Sequence, residues 1–235
     1  MRLQLIAEGS TKRERKTLRW GLSFMIGNVL FDAFGRKDIF WENIRRFRID
    51  LSRVKQVVIS HEDWDHTAAL GGLLRTQPGI KAYLCKRSGR ALKDLVRGNG
   101  GALVEIDKPQ KIAPGIFSLG QMRADTGRGI LYEQALVVKA QNGFSVITGC
   151  AHPGIVRIVR QAIKIFGKNI YAICGGFHMK DNTRKDNLKI IAELQALGVQ
   201  KVIPLHCTGP AARRLFRSAY DKNFIRLNEG GSLTL

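Results

Sequence analysis

Ser60-His61-Glu62-Asp63-Trp64-Asp65-His66-Thr67 follows the apolar run Val57-Val58-Ile59 and places two imidazoles and three carboxylates within six residues. Carboxylates at the end of a buried strand are costly unless they are solvated, paired or bound to a cation. This concentration of charge reads as a metal site built where a strand ends.

The surrounding chain has 235 residues, enough for one large domain or two small ones. A chain of this size buries roughly 70–75% of its unfolded surface and needs no staples to hold a core. No linker, low-complexity tract or internal repeat interrupts it, so residues 1–235 are expected to form a single domain. The 39 Lys and Arg against 19 Asp and Glu leave a net charge of +20. That excess fits an anionic partner, either a phosphate-bearing small molecule or nucleic acid, or a solvated basic surface. Cys85, Cys150, Cys174 and Cys207 are widely spaced without a CxxC pair, which suits reduced thiols and a cytoplasmic protein. The apolar run Leu3 to Ala7 is too short for a signal peptide and no apolar stretch reaches membrane length, so no membrane partner is expected.

Outward from the motif, strands are expected over Leu3 to Ala7, Leu18 to Ile26, Asn28 to Phe31, Val54 to Ile59 and Ile80 to Cys85. Helical spacing runs from Asp38 to Phe47, with Asp38 as cap, from Thr67 to Arg75, and from Ser88 to Val96. Several β segments lie between Ala102 and Lys139. After them strand and helix alternate: Phe144 to Thr148, Gly154 to Phe166, Ile170 to Cys174, Arg184 to Leu197, Val199 to Leu205. The mixture predicts an α/β (α+β) protein with two β-sheets and helices outside.

All five histidines directly follow a predicted buried strand: His61 and His66 in the opening motif, then His152, His178 and His206. In layered α/β folds the loops beyond the same strand ends converge, so five scattered histidines become one candidate cluster. If the loop stays extended, His61, Asp63 and Asp65 share a side and His66 turns toward a second ion. Two ions about 3.5–4 Å apart would lower the pKa of a shared water and polarise a phosphoryl or carbonyl oxygen. Imidazole with carboxylate suits zinc, and also iron or manganese.

The pattern His61-x-Asp63-x-Asp65-His66 with His152 and His206 resembles the metallo-β-lactamase superfamily. Within it the chain looks most like the dihydropterin-ribofuranosylaminobenzene phosphate synthase-like branch. The stretches that carry the resemblance are Gly21-Leu22-Ser23, Val29-Leu30-Phe31-Asp32, Ser60 to Thr67, Thr148 to Ile155, Gly175-Gly176-Phe177-His178 and Pro204 to Gly209, in order along the chain. The resemblance implies a four-layer αββα sandwich with the metal site at one edge. It also implies one metal held by His61, Asp63 and His152 and a second held by Asp65, His66 and His206, with Asp65 orienting the catalytic water. The superfamily usually has His where Asp63 stands. A carboxylate there adds negative charge and favours a harder ion.

Around that set, His178 is a candidate general acid or substrate donor. Cys150, Cys207 and Thr208 are candidates for further metal contact or for support of the ligands. Arg75, Lys86, Arg87, Arg90 and Lys93, and Arg213 with Arg214 on a helix after His206, are candidate phosphate contacts. The expected function is a metal-dependent hydrolase or transferase acting on a small phosphate-containing, ester or lactone substrate. The alternatives are a nuclease of the same fold, or a degenerate site in a non-catalytic binding protein. No appended nucleic-acid module is evident and the aromatics are not interleaved with the basic clusters.

Overall fold

The structure is a computed structural model describing residues 1–127 and 129–235. The first half of the chain builds β1 (Arg2–Gly9), α1 (Lys12–Lys16), β2 (Gly21–Ile26), β3 (Val29–Phe31), α2 (Lys37–Arg46), β4 (Gln56–Val58), α3 (Trp64–Thr67), α4 (Leu70–Thr76), β5 (Lys81–Cys85), α5 (Arg90–Gly98) and β6 (Ala102–Ile106). The second builds β7 (Gln110–Ala113), β8 (Ile116–Ser118), β9 (Met122–Asp125), β10 (Ile130–Glu133), β11 (Leu136–Ala140), β12 (Gly143–Thr148), α6 (Ile155–Phe166), β13 (Ile170–Gly176), α7 (Arg184–Ala196), β14 (Lys201–Leu205), α8 (Gly209–Tyr220) and β15 (Ser232–Thr234).

The strands form two large mixed sheets, ordered β15-β1-β2-β3-β4-β5-β6 and β14-β13-β12-β11-β8-β7, with a small ribbon of β9 and β10. Strands buried on both faces read as unbroken apolar runs, and alternate residues serve different layers. In β4, Val58 joins the core between the sheets with Phe24, Phe31, Ile147 and Cys174. Its neighbour Val57 faces the helices, among Phe40, Leu70 and Val96. In β12, Ile147 faces the sheet opposite while Val146 packs with Ile158, Leu194 and Phe216 of α6, α7 and α8. Two outer cores and one between the sheets make the expected four layers, helix on sheet on sheet on helix.

Several local expectations change. The run from Leu18 is not strand at its start, because Thr11 and Glu14 form a reciprocal capping box that turns Lys12–Lys16 into a helix. The chain then reverses through Leu18, whose φ is 56°. Asp38 does not cap α2; Arg36 holds the cap position, and Asp38 lies in the first turn, paired with the Arg36 guanidinium. The helix expected over Thr67 to Arg75 is two pieces. The N–H of Ala69 donates to Ala33 O at 3.1 Å, and that of Ala68 is shared between Trp64 O and Phe34 O. That tertiary pairing ends α3 and lets α4 start afresh. The strand expected over Val54 to Ile59 is shorter, Gln56–Val58, and β15 was not anticipated.

Candidate metal centre

The histidines converge at one edge of the sandwich, where β4, β12, β13 and β14 end. Four of them share an arrangement that can be read from their hydrogen bonds. His66 Nδ1 lies 2.7 Å from Asp32 Oδ2, His152 Nδ1 2.9 Å from Glu133 Oε2, and His206 Nδ1 2.7 Å from the carbonyl of Gly9. None of these acceptors offers a proton, so each Nδ1 donates. Ser60 Oγ donates to Asp32 Oδ2 at 2.8 Å and lies 2.7 Å from His61 Nδ1, which must donate to it in turn. All four rings therefore turn Nε2 inward. The Nε2 atoms of His61 and His206 are buried and make no hydrogen bond.

What these atoms face is carboxylate and thiol. Asp63 Oδ2 stands 3.4 Å from His61 Nε2 and 3.9 Å from His152 Nε2; Asp65 Oδ2 stands 3.3 Å from both His66 Nε2 and His206 Nε2. The two sets expected from the sequence, His61, Asp63 and His152 and then Asp65, His66 and His206, are each gathered in space. The route differs from the extended loop expected, however: Asp63 is the last extended residue, and Asp65 turns away from it in the first turn of α3. Cys150 lies between the two sets. Its Sγ is within 4.8 Å of donor atoms of His61 and His152, equally of His66 and His206, and again of His178 and Cys207. Buried donors lacking hydrogen bonds, beside two carboxylates and a thiol, fit a divalent metal site; imidazole, carboxylate and sulfur together suit first-row ions.

The electrostatics are those of a cation site. Burial alone would raise the Asp65 carboxyl, but the imidazoles of His66 and His206 hold it well below the carboxylate range. Asp63 is lowered first by the His61 imidazole beside it, against the effect of burial. Burial disfavours charge on His66, yet Asp32 and Asp65 push its pKa well above the usual imidazole value. In each case the partners of opposite charge outweigh desolvation.

Backbone strain marks the same place. Asp32, Ala151, His178 and His206 all take left-handed φ, between 45° and 60°. Non-glycine residues hold that conformation only when their surroundings demand it. Gly175, at φ 126°, brings β13 so close to β12 that an added Cβ would lie 2.0 Å from Thr148 O.

The supporting residues divide by what they touch. Thr208 Oγ1 accepts from Phe177 N at 3.0 Å and shapes the turn. Cys207 Sγ accepts from His178 N at 3.3 Å, and its shell is closed by Trp20, whose ring lies 4.7 Å from that of His206. His178 is exposed, 4.4 Å from the His152 ring, on the solvent side of the cluster. Glu133, which sequence reasoning missed, is buried: it accepts from the N–H groups of Cys150, Ala151 and His152 and from His152 Nδ1. Its only sequence signal is a lone acid at the head of the apolar run Ala135 to Val138.

The basic residues expected to contact phosphate are spent elsewhere or lie apart. Arg75 binds Asn99, Lys86 pairs with Asp107, Arg87 covers the Tyr132 ring, Arg90 pairs with Asp94, and Lys93 pairs with Glu105. Arg213 pairs with Glu8, whose Oε1 also accepts from His206 N at 2.8 Å. Arg214, exposed on α8, lines a cavity taken up below.

Comparison with known proteins bears on the fold that builds this site. A family model described as the metallo-beta-lactamase superfamily matches residues 22–132. A metal-dependent hydrolase of the beta-lactamase superfamily, 26% identical, superposes with a TM-score of 0.81 over 100% of this chain and 99% of its own. A diphosphatase of the PhnP family shares the fold at a TM-score of 0.67 and 11% identity, over 100% of this chain and 97% of its own. The matched region, the fold and the site geometry together make the chain similar to the metallo-β-lactamase superfamily. Within it, the chain resembles 7,8-dihydropterin-6-methyl-4-(beta-D-ribofuranosyl)-aminobenzene-5'-phosphate synthase of Methanocaldococcus jannaschii, 29% identical over 89% of this chain and 88% of that protein. Among the described residues no helix is long and apolar enough to cross a membrane.

Proposed function

We propose that the chain is a cytoplasmic single-domain metalloenzyme with a two-metal centre, acting as hydrolase or transferase on a small anionic substrate that carries a phosphate, ester or lactone group. The observation that carries the reading is the common orientation of four histidines, whose inward Nε2 atoms face Asp63, Asp65 and Cys150. His61, Asp63 and His152 would hold one ion and Asp65, His66 and His206 the other. Cys150, within reach of both sets, is a shared donor rather than a buried structural thiol. When bound, the ions, zinc first with iron or manganese as alternatives, would supply Lewis acidity and lower the pKa of water.

The protein's own side chains do the rest. Asp32, Ser60, Glu133 and the Gly9 carbonyl hold the imidazole tautomers, so no ring reorients when a ligand arrives. His178 is exposed beside His152 and is positioned to hand a proton to a leaving group. Trp20 shuts water from the His206 side, which strengthens every charge interaction inside. The net charge of +20 favours anionic substrates. One relative is a synthase whose name carries a phosphate and another a metal-dependent hydrolase, which supports the reading as transferase or hydrolase.

Metal analysis of protein purified without chelator tests the reading. Two equivalents are expected; less than one, with no gain on adding zinc, manganese or iron, refutes it. Cobalt substitution tests Cys150 separately: a thiolate-to-cobalt charge-transfer band should appear in the wild type and vanish in Cys150→Ala while persisting in Cys85→Ala. Loaded enzyme is then screened with phosphodiester, lactone and diphosphate substrates.

A further inference from the structure

Behind His206, between α8 and the chain from Lys222 to Asn228, lies an open cavity of two lobes, about 670 and 330 Å³, that share Arg214, Arg217, Phe224 and Arg226. Lys222 lines one lobe and Arg213 the other, so five cations surround one space. Among the described residues only two carboxylates oppose them. Glu8 is committed to Arg213 and the His206 N–H, which leaves Asp221. Among the described residues the side chains of Arg214, Arg217, Lys222 and Arg226 have no ion pair or hydrogen bond, unlike those of Arg90, Arg97 and Arg160, which pair with neighbouring acids. Arg213 Nε is buried without an acceptor.

Unpaired like charges gathered around one space repel, and a buried guanidinium N–H without an acceptor is costly; one polyanion relieves both. Four of the five cations are arginines, whose planar forks take phosphate oxygens in pairs, and the volume is that of a small-ligand site. Among the described residues Phe224 is the only aromatic ring on the lining, too few to stack the successive bases of a nucleic-acid strand.

We propose that this cavity binds a small molecule carrying two or more adjacent phosphates, as a site separate from the histidine cluster. Arg214, Arg217 and Arg226 grip the phosphates, Arg213 Nε donates to the ligand while its Nη2 keeps Glu8, and Phe224 forms the apolar wall. The site stands one carboxylate from the metal centre, because Glu8 Oε1 joins Arg213 to His206 N.

The test is calorimetric titration of the whole protein with tripolyphosphate and with ATP, as purified and after treatment with chelator and removal of the chelate. Expected is one saturable site that survives chelation and weakens about tenfold or more in Arg214→Glu/Arg226→Glu. Arg214→Gln/Arg226→Gln gives the same direction without reversing charge, and Arg53→Glu/Lys55→Glu, equal in charge but outside the cavity, leaves affinity within about twofold. Tighter binding of ATP identifies a nucleotide that uses Phe224; equal binding identifies a free oligophosphate. Three results overturn the assignment: binding that disappears with the metal, an equal loss in the Arg53/Lys55 variant, or an RNA oligonucleotide that binds more tightly than either probe with the same dependence on the cavity arginines.

Discussion

Replacing Glu133 by Gln changes one atom and should disturb the metal centre more than its distance from any substrate suggests. In the wild type, Oε1 accepts from Cys150 N at 3.0 Å and Ala151 N at 2.8 Å, while Oε2 accepts from His152 N at 2.8 Å and His152 Nδ1 at 2.9 Å. The carboxyl is held far below its usual range: burial opposes this, and the His152 hydrogen bond outweighs it. An amide keeps one oxygen, so two donors must face its NH2 group. Two charge-assisted bonds lost from a buried site amount to about 3–6 kcal/mol. For a domain of this size that lowers the melting temperature by about 6–24 °C. His152 also loses the bond that selects its tautomer, which should weaken metal binding about 10–100-fold. Thermal unfolding in chelator isolates the first effect, and competitive zinc titration the second. A variant with the wild-type melting temperature and metal content would show that Glu133 neither holds the loop nor orients His152.

Further expectations concern other parts of the molecule. Asp63→His should increase zinc retention if Asp63 contacts the ion, whereas His206→Ala should reduce metal content by about one equivalent; mass spectrometry of the loaded proteins reads both. Gly175→Ala should abolish soluble expression or cost several kcal/mol, because its Cβ would meet the Thr148 carbonyl at 2.0 Å; a urea midpoint equal to wild type refutes it. Glu14, whose pKa the bonds from Ser10 and Thr11 lower against the opposing effect of burial, stabilises α1 above the ordinary carboxylate pKa and loses that contribution as pH falls through its depressed value. The urea-midpoint gap between wild type and Glu14→Gln should therefore be widest near neutrality and close on acidification. A gap that does not change with pH contradicts the assignment.

The centre was legible in the chain to the degree that its residues sit at strand ends. His61, Asp63, Asp65, His66, His152 and His206 each stand beside an apolar run, and a run of that kind predicts burial and position together. Glu133 was not legible, because it acts on Cys150, Ala151 and His152 across a gap of 17 to 19 residues from a different strand. Asp32 was quoted for its place in a motif, yet its task of holding Ser60 and His66 at once depends on parallel pairing of β3 with β4. The cap of α2 and the break between α3 and α4 went astray for a related reason: both depend on which carbonyl or carboxylate comes within reach, and propensity does not record that.

The order of strands, the apolar faces of α6 and α8, the histidines and the excess of positive charge are properties of the sequence by itself, since periodicity and residue type need no partner to be read. The inward orientation of the histidines, the central place of Cys150 between two sets of donors, and the gathering of Arg213, Arg214, Arg217 and Arg226 around one cavity belong to the tertiary structure. Each is a matter of distance between segments far apart in the chain, and such distances exist only once the two sheets have closed on their common core.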